Sequence, residues 1–181
     1  CLHLFGPAGG LPAQMLAGQV AHTVESATLD DAFDETLVAI TAGAIEVPGA
    51  RASDDFSDVA ALALPTPENA VRLHLAATDP RPGERVYLAA PVRAGAPRSQ
   101  RLHPATVRAT TASGSTLIEF DVTDLDVGGT SGAPLLSARD TVAGMMVRFQ
   151  RGRESGILLG TMVPASRLRE LLRRAIEARQ P

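Results

Sequence analysis

The chain has 181 residues, 45% of them hydrophobic, and a formal net charge of −3, which is enough for one domain or for two small barrels sharing a cleft. That charge excludes the strongly basic balance of a nucleic-acid or anionic-membrane binder. The lone cysteine, Cys1, excludes an internal disulfide, and no apolar run of about 18 residues exists to span a membrane as a helix.

In chain order, short apolar runs alternate with Gly, Pro, Asp and Ser clusters, the pattern of an all-β barrel or sandwich. The runs predict strands at residues 2–5, 14–20, 36–40, 59–64, 85–90, 105–110, 116–122, 134–136, 142–149 and 157–162. A short helical turn is predicted after His22, over 23–28. A longer helix is predicted from Pro164 to about Ala178, with Leu168, Leu171, Leu172, Ala175 and Ile176 forming one apolar stripe. Its other face carries Arg167, Arg169, Arg173, Arg174 and Arg179, which reads as a solvated face or as a docking surface for an acidic partner. Residues 89–101, rich in Pro, Gly and Arg, read as a linker between two halves, 1–90 and 91–181. The chain opens inside a predicted strand and no signal peptide is visible, so it reads as a trimmed or processed piece. A cytoplasmic origin is favoured, with an exported mature bacterial protein as the alternative.

The segment Gly128-Gly129-Thr130-Ser131-Gly132-Ala133-Pro134 carries the strongest chemical signal. A serine hydroxyl becomes a nucleophile only when a base takes its proton, and the oxyanion it creates needs converging N–H donors. A glycine-rich turn supplies such donors, here the N–H groups of Gly129 and Ser131. A plain hairpin turn is the other reading of these residues. Of the four histidines, His22 follows an apolar run directly and is placed to act as the base. His3 and His74 read as strand residues, and His103, before a proline, as a loop residue. Asp58, at the mouth of the apolar run 59–64, is the candidate carboxylate to orient the imidazole. Asp54 and Asp55 are its rivals in a more polar stretch.

The order His22, Asp58, Ser131 resembles the trypsin-like serine peptidase superfamily. The blocks that carry the likeness are Ala21-His22, Asp58-Val59-Ala60-Ala61-Leu62 and Gly129-Thr130-Ser131-Gly132-Ala133-Pro134. The short gaps between blocks look most like bacterial Do-type (HtrA-like) protease domains without a PDZ domain. Supporting likeness comes from Pro82-Gly83-Glu84-Arg85-Val86, from Val142-Ala143-Gly144-Met145, and from Thr161-Met162-Val163-Pro164 before the final helix. The resemblance implies two six-stranded antiparallel Greek-key β-barrels with a C-terminal helix over 164–178. It implies a serine endopeptidase with His22, Asp58 and Ser131 as its triad, acting on a peptide or protein substrate and needing no cofactor or metal.

The sequence also departs from the family. Thr130 stands where zymogen enzymes carry the aspartate that pairs with a new N-terminus, so activation by N-terminal insertion is not expected. The resemblance places Leu125 at the base of the substrate pocket, Val147 and Phe149 on its wall and Gly156 on the facing wall. Leu125 argues for an apolar or small side chain before the scissile bond. Asp126 argues for a basic one, unless it caps the loop. The alternative to an active enzyme is a non-catalytic or latent module that binds peptides or a partner protein within a larger regulatory or defence protein. A nucleophile-elbow esterase is disfavoured, because its serine sits in Gly-x-Ser-x-Gly and its histidine comes last.

Overall fold

The computed structural model describes residues 27–30, 36–40, 43–45, 54–59, 61–63, 73–97 and 99–178. The chain divides into two compact units, Leu73–Leu168 and Cys1–Arg72 with Arg169–Pro181.

In the first unit six antiparallel strands close into a barrel. They are β5 (Arg85–Ala89), β6 (Leu102–Thr110), β7 (Thr116–Phe120), β8 (Pro134–Ser137), β9 (Val142–Arg151) and β10 (Leu158–Pro164), in the order β10-β7-β6-β5-β8-β9. Period-two alternation explains the inward face. Val86 and Leu88 of β5, Ala105 and Val107 of β6, and Ile118 and Phe120 of β7 are buried, and the residues between them are half-buried. Leu135, Met146, Leu158 and Met162 complete the same core. With Phe120 as the one aromatic side chain in that core cluster, aliphatic and thioether groups fill the interior.

Outward-facing residues of neighbouring strands pair by charge. Arg85 grips Asp121 with both terminal guanidinium nitrogens, and its Nη1 also donates to Thr106 Oγ1 at 2.9 Å. Arg108 donates to Glu119 at 2.8 Å. The bidentate hydrogen bonding from Arg85 holds the Asp121 carboxyl below its ordinary range. Both partners are well exposed, so the pair adds little stability.

Two expectations change here. β5 belongs to the closed barrel, so residues 90–101 form a loop inside it, between β5 and β6, where the sequence suggested a linker between halves. And β6 starts at Leu102, taking in His103 and Pro104, which the sequence read as loop. Pro104 lacks an N–H but its carbonyl still accepts from Asp121 N–H at 3.1 Å. His103 is fully buried. Its Nε2 bonds to the Ala90 carbonyl at 3.1 Å, and Nδ1 lies 3.5 Å from Gln100 Nε2. A neutral imidazole satisfies both contacts, donating from Nε2 and accepting at Nδ1. Burial lowers the His103 pKa below its ordinary 6.5; the Ala90 carbonyl opposes that shift and the Arg101 charge adds to it. The unfolded chain therefore takes up the proton first as the pH falls, so stability declines below the ordinary value of 6.5. The denaturant midpoint is expected to fall as the pH drops from about 7 to 5, with a shallower fall in His103→Gln. Equal slopes in the two proteins would count against this account.

Pro164 ends β10 and the helix α1 (Ala165–Glu177) follows at once. The Asp79 carboxylate accepts from Ser166 N–H at 2.8 Å and from Ser166 Oγ at 2.5 Å, placing a negative charge at the helix start. Leu168, Leu171 and Ala175 are buried, while Leu172 and Ile176 of the expected stripe are exposed, so the buried face is narrower than the sequence suggested. On the outer face Arg173 pairs with Glu177, and Arg174 with Glu170, at i,i+4 spacing.

In the second unit the described strands form two antiparallel pairs. β1 (Ala27–Asp30) pairs with β2 (Thr36–Ile40), and β3 (Gly43–Ile45) with β4 (Ala61–Ala63). The helical turn expected over 23–28 is overtaken at its end, where Ala27 and Thr28 are in β1. The predicted strands at 2–5 and 14–20, and His22, lie outside the described residues.

Candidate active site

Ser131 lies on two linked tight turns. Thr130 N–H bonds to the Val127 carbonyl at 3.2 Å, closing 127–130, and Ala133 N–H bonds to the Thr130 carbonyl at 3.0 Å, closing 130–133. In each turn the third residue is a glycine with positive φ, Gly129 at 87° and Gly132 at 96°. A turn of that pattern requires glycine there. The three-residue spacing of Gly129 and Gly132 is thus the sequence signature of the double turn, and it puts Ser131 second in the second turn.

Side chains and the neighbouring strand hold this loop. Thr130 is buried and its hydroxyl donates to Val127 O at 2.8 Å, so the residue bonds within its own turn. The Asp126 carboxylate accepts from Gly128 N–H at 3.0 Å. Gly132 N–H donates to Met146 O at 2.8 Å, and Met146 N–H donates to Ala133 O at 2.9 Å. Ser131 Oγ donates to the Val147 carbonyl at 2.9 Å. That carbonyl is available for a reason. Between β9 and β10 the register passes from Thr161 opposite Arg148 to Met162 opposite Met146, so Val147 is the extra residue of a β-bulge.

Among the described residues, the N–H groups of Gly129 and Ser131 make no hydrogen bond to the chain. They flank the Thr130 N–H, which is turned inward. The loop therefore presents a hydroxyl and two uncommitted amides, the components that acyl-transfer chemistry uses at a carbonyl carbon and its oxygen.

The residues expected to shape a pocket fall into three settings. The Leu125 side chain is buried in the barrel core, and its carbonyl accepts from Arg151 Nη2 at 3.0 Å. The Gly156 carbonyl accepts from Arg151 Nη1 at 3.4 Å. Arg151 thus ties Leu125 to Gly156, a role that nothing in its sequence setting signals. Val147 is buried behind Ser131, and Phe149 further along β9 is exposed, opposite Gly160 of β10. Asp126 is exposed and spends its carboxylate on Gly128 N–H, the capping role.

Asp58, in the other unit, is fully buried. The turn before it is held by Asp54, whose carboxylate accepts from Phe56 N–H at 3.1 Å and from Ser57 Oγ at 2.7 Å. Asp54 thus has a local structural role, while Asp58 sits next to buried Val59. His22 lies outside the described residues.

A cavity of about 550 Å³ opens elsewhere on the barrel, between Pro80–Arg85 and the β8–β9 hairpin around Arg139. No residue of the Ser131 loop lines it. Among the described residues, no three His, Cys, Asp or Glu side chains gather as a metal site, and no helix is long and apolar enough to cross a membrane.

No family model matches the chain, and no curated protein matches it significantly. Among solved structures it is similar to Rv3671c from M. tuberculosis H37Rv, a crystal structure of a serine-to-alanine mutant in an inactive form. The TM-score is 0.50 at 21% identity, covering 80% of this chain and 68% of that one. The closed six-stranded barrel and this neighbour together fit the chymotrypsin-like fold.

Proposed function

We propose that the chain is a serine endopeptidase, trypsin-like in class and nearest in kind to Do-type protease domains. The observation that carries the reading is the Ser131 loop: a hydroxyl second in a glycine double turn, beside two uncommitted N–H groups, on a barrel of chymotrypsin-like fold. His22 is the base and Asp58 its orienting carboxylate. In the first step Ser131 Oγ attacks the peptide carbonyl carbon, and its proton passes to the His22 imidazole. Asp58 stabilises the imidazolium, and the N–H groups of Gly129 and Ser131 hold the oxyanion. His22 returns the proton to the leaving amine as the C–N bond breaks. Water then cleaves the acyl-enzyme by the same route.

A fluorophosphonate probe is expected to label the intact protein at Ser131 and nowhere else, as read by peptide mass spectrometry. Absence of labelling under all conditions would favour the second reading, a non-catalytic or latent module. One observation supports latency. The Ser131 hydroxyl is directed at Val147 O, so it must turn away from that carbonyl before a histidine can receive its proton.

A further inference from the structure

The loop between β5 and β6 brings an arginine onto the flank of the Ser131 loop. Its path is fixed by the backbone. Arg93 N–H donates to Asp126 O at 2.9 Å, and Asp126 N–H donates to Ala94 O at 2.9 Å. From there the Arg93 side chain lies over Gly128 and Gly129. A Cβ built on Gly128 would stand 3.3 Å from Arg93 Nη1, and one on Gly129 would stand 3.7 Å from Nη2. The guanidinium thus reaches the residue whose N–H is assigned to the oxyanion. Arg93 is exposed, and among the described residues its side chain has no hydrogen bond or ion pair. The Asp126 carboxylate, also beside Gly128, is directed at Gly128 N–H and is not paired with Arg93.

The two flanks of Ser131 differ. On one side Ser131, Gly132 and Ala133 bond to Met146 and Val147 of β9. On the other lie Gly128, Gly129 and Arg93. On the proposed reading the acyl half of the substrate lies along β9, on the side of exposed Phe149, and the leaving half passes towards Arg93. A guanidinium with no partner among the described residues matches a carboxylate at that place. Resting on the proposed peptidase reading, we infer that Arg93 is a specificity-determining residue that binds an acidic side chain within the first two residues after the scissile bond.

The test uses two internal peptides that differ only in those two positions, Glu-Glu against Gln-Gln, with kcat/KM measured for each on the full chain. The wild type is expected to favour the acidic peptide about twofold to fivefold, the range for a charge pair in contact with water. The preference should shrink as salt rises from about 0.05 to 0.5 M. In Arg93→Ala the ratio should fall to about one, in Arg93→Glu it should invert, and Arg93→Lys should keep part of it. A ratio that is the same in wild type and Arg93→Ala overturns the inference while leaving the peptidase reading in place. Cleavage of neither peptide, together with no fluorophosphonate labelling, overturns the peptidase reading, and the inference with it.

Discussion

Ser131→Ala is expected to lower peptide hydrolysis on the order of 10⁶-fold, because the nucleophile and its base act as one unit. The same substitution should leave the fold almost untouched. Among the described residues the Ser131 side chain makes one hydrogen bond, to Val147 O, while the double turn is closed by amides of Thr130 and Ala133 and fastened to β9 by Gly132 and Met146. Losing that one bond costs about 1 kcal/mol, or about 2–4 °C in Tm for a chain of this size. Rate and Tm are therefore predicted to part company. Measuring kcat/KM and thermal unfolding on the same preparation tests both, and an unchanged rate would remove Ser131 from the mechanism.

The second large effect concerns stability, at Gly95. Its φ is +85°, and a Cβ there would stand 2.6 Å from Asp124 O and 2.7 Å from Leu125 Cα. Both obstacles are backbone, so no side chain can swing aside. Left-handed φ costs about 1–2 kcal/mol for alanine, and forced displacement of packed groups adds about 1–3 kcal/mol. Gly95→Ala should thus destabilise by about 3 kcal/mol and lower Tm by about 6–12 °C. Gly83 is the control, with φ +90° and nothing within 4 Å of its would-be Cβ. Gly83→Ala should cost only the conformational part, about 1–2 kcal/mol. Equal losses in the two variants would mean that the close approach at Gly95 is not what requires glycine. The displaced segment leads straight into the Ser131 loop, so Gly95→Ala should also slow probe labelling.

Much of the barrel was legible because alternation is a local property. β7 and β9 start where the apolar runs start, and β5 falls within its run. A glycine-rich turn around Ser131 was visible, since positive φ leaves a mark on residue choice, while its doubling at Gly129 and Gly132 emerged only in the structure. What stayed hidden depends on partners distant in the chain. β6 extends through Pro104 because its neighbours β5 and β7 are there to pair with it. His103 reads as a loop residue from its proline neighbour, yet lies buried against the Ala90 carbonyl. The Val147 carbonyl is exposed to Ser131 by a bulge set in the pairing with β10, and a carbonyl has no letter in the sequence. Arg93 and Arg151 are two of 17 arginines, and only the folded loops separate them from the rest. Leu62 and its neighbours announced a strand, but the pairing with β3 comes from a segment with no such signal.

The two turns share Thr130, and both outer ends are anchored, Val127 in the core and Ala133 against Met146. One added residue would have to break a turn or slide β8 along β9, and a one-step slide turns Leu135 from the interior to the solvent. The segment from Leu125 to Leu135 is therefore fixed in length, while the hydroxyl at position 131 contributes little to its shape. Among variants of this chain, the chemistry at that position can be lost or altered by a single substitution without disturbing the architecture, whereas an insertion or deletion within the segment would sacrifice both.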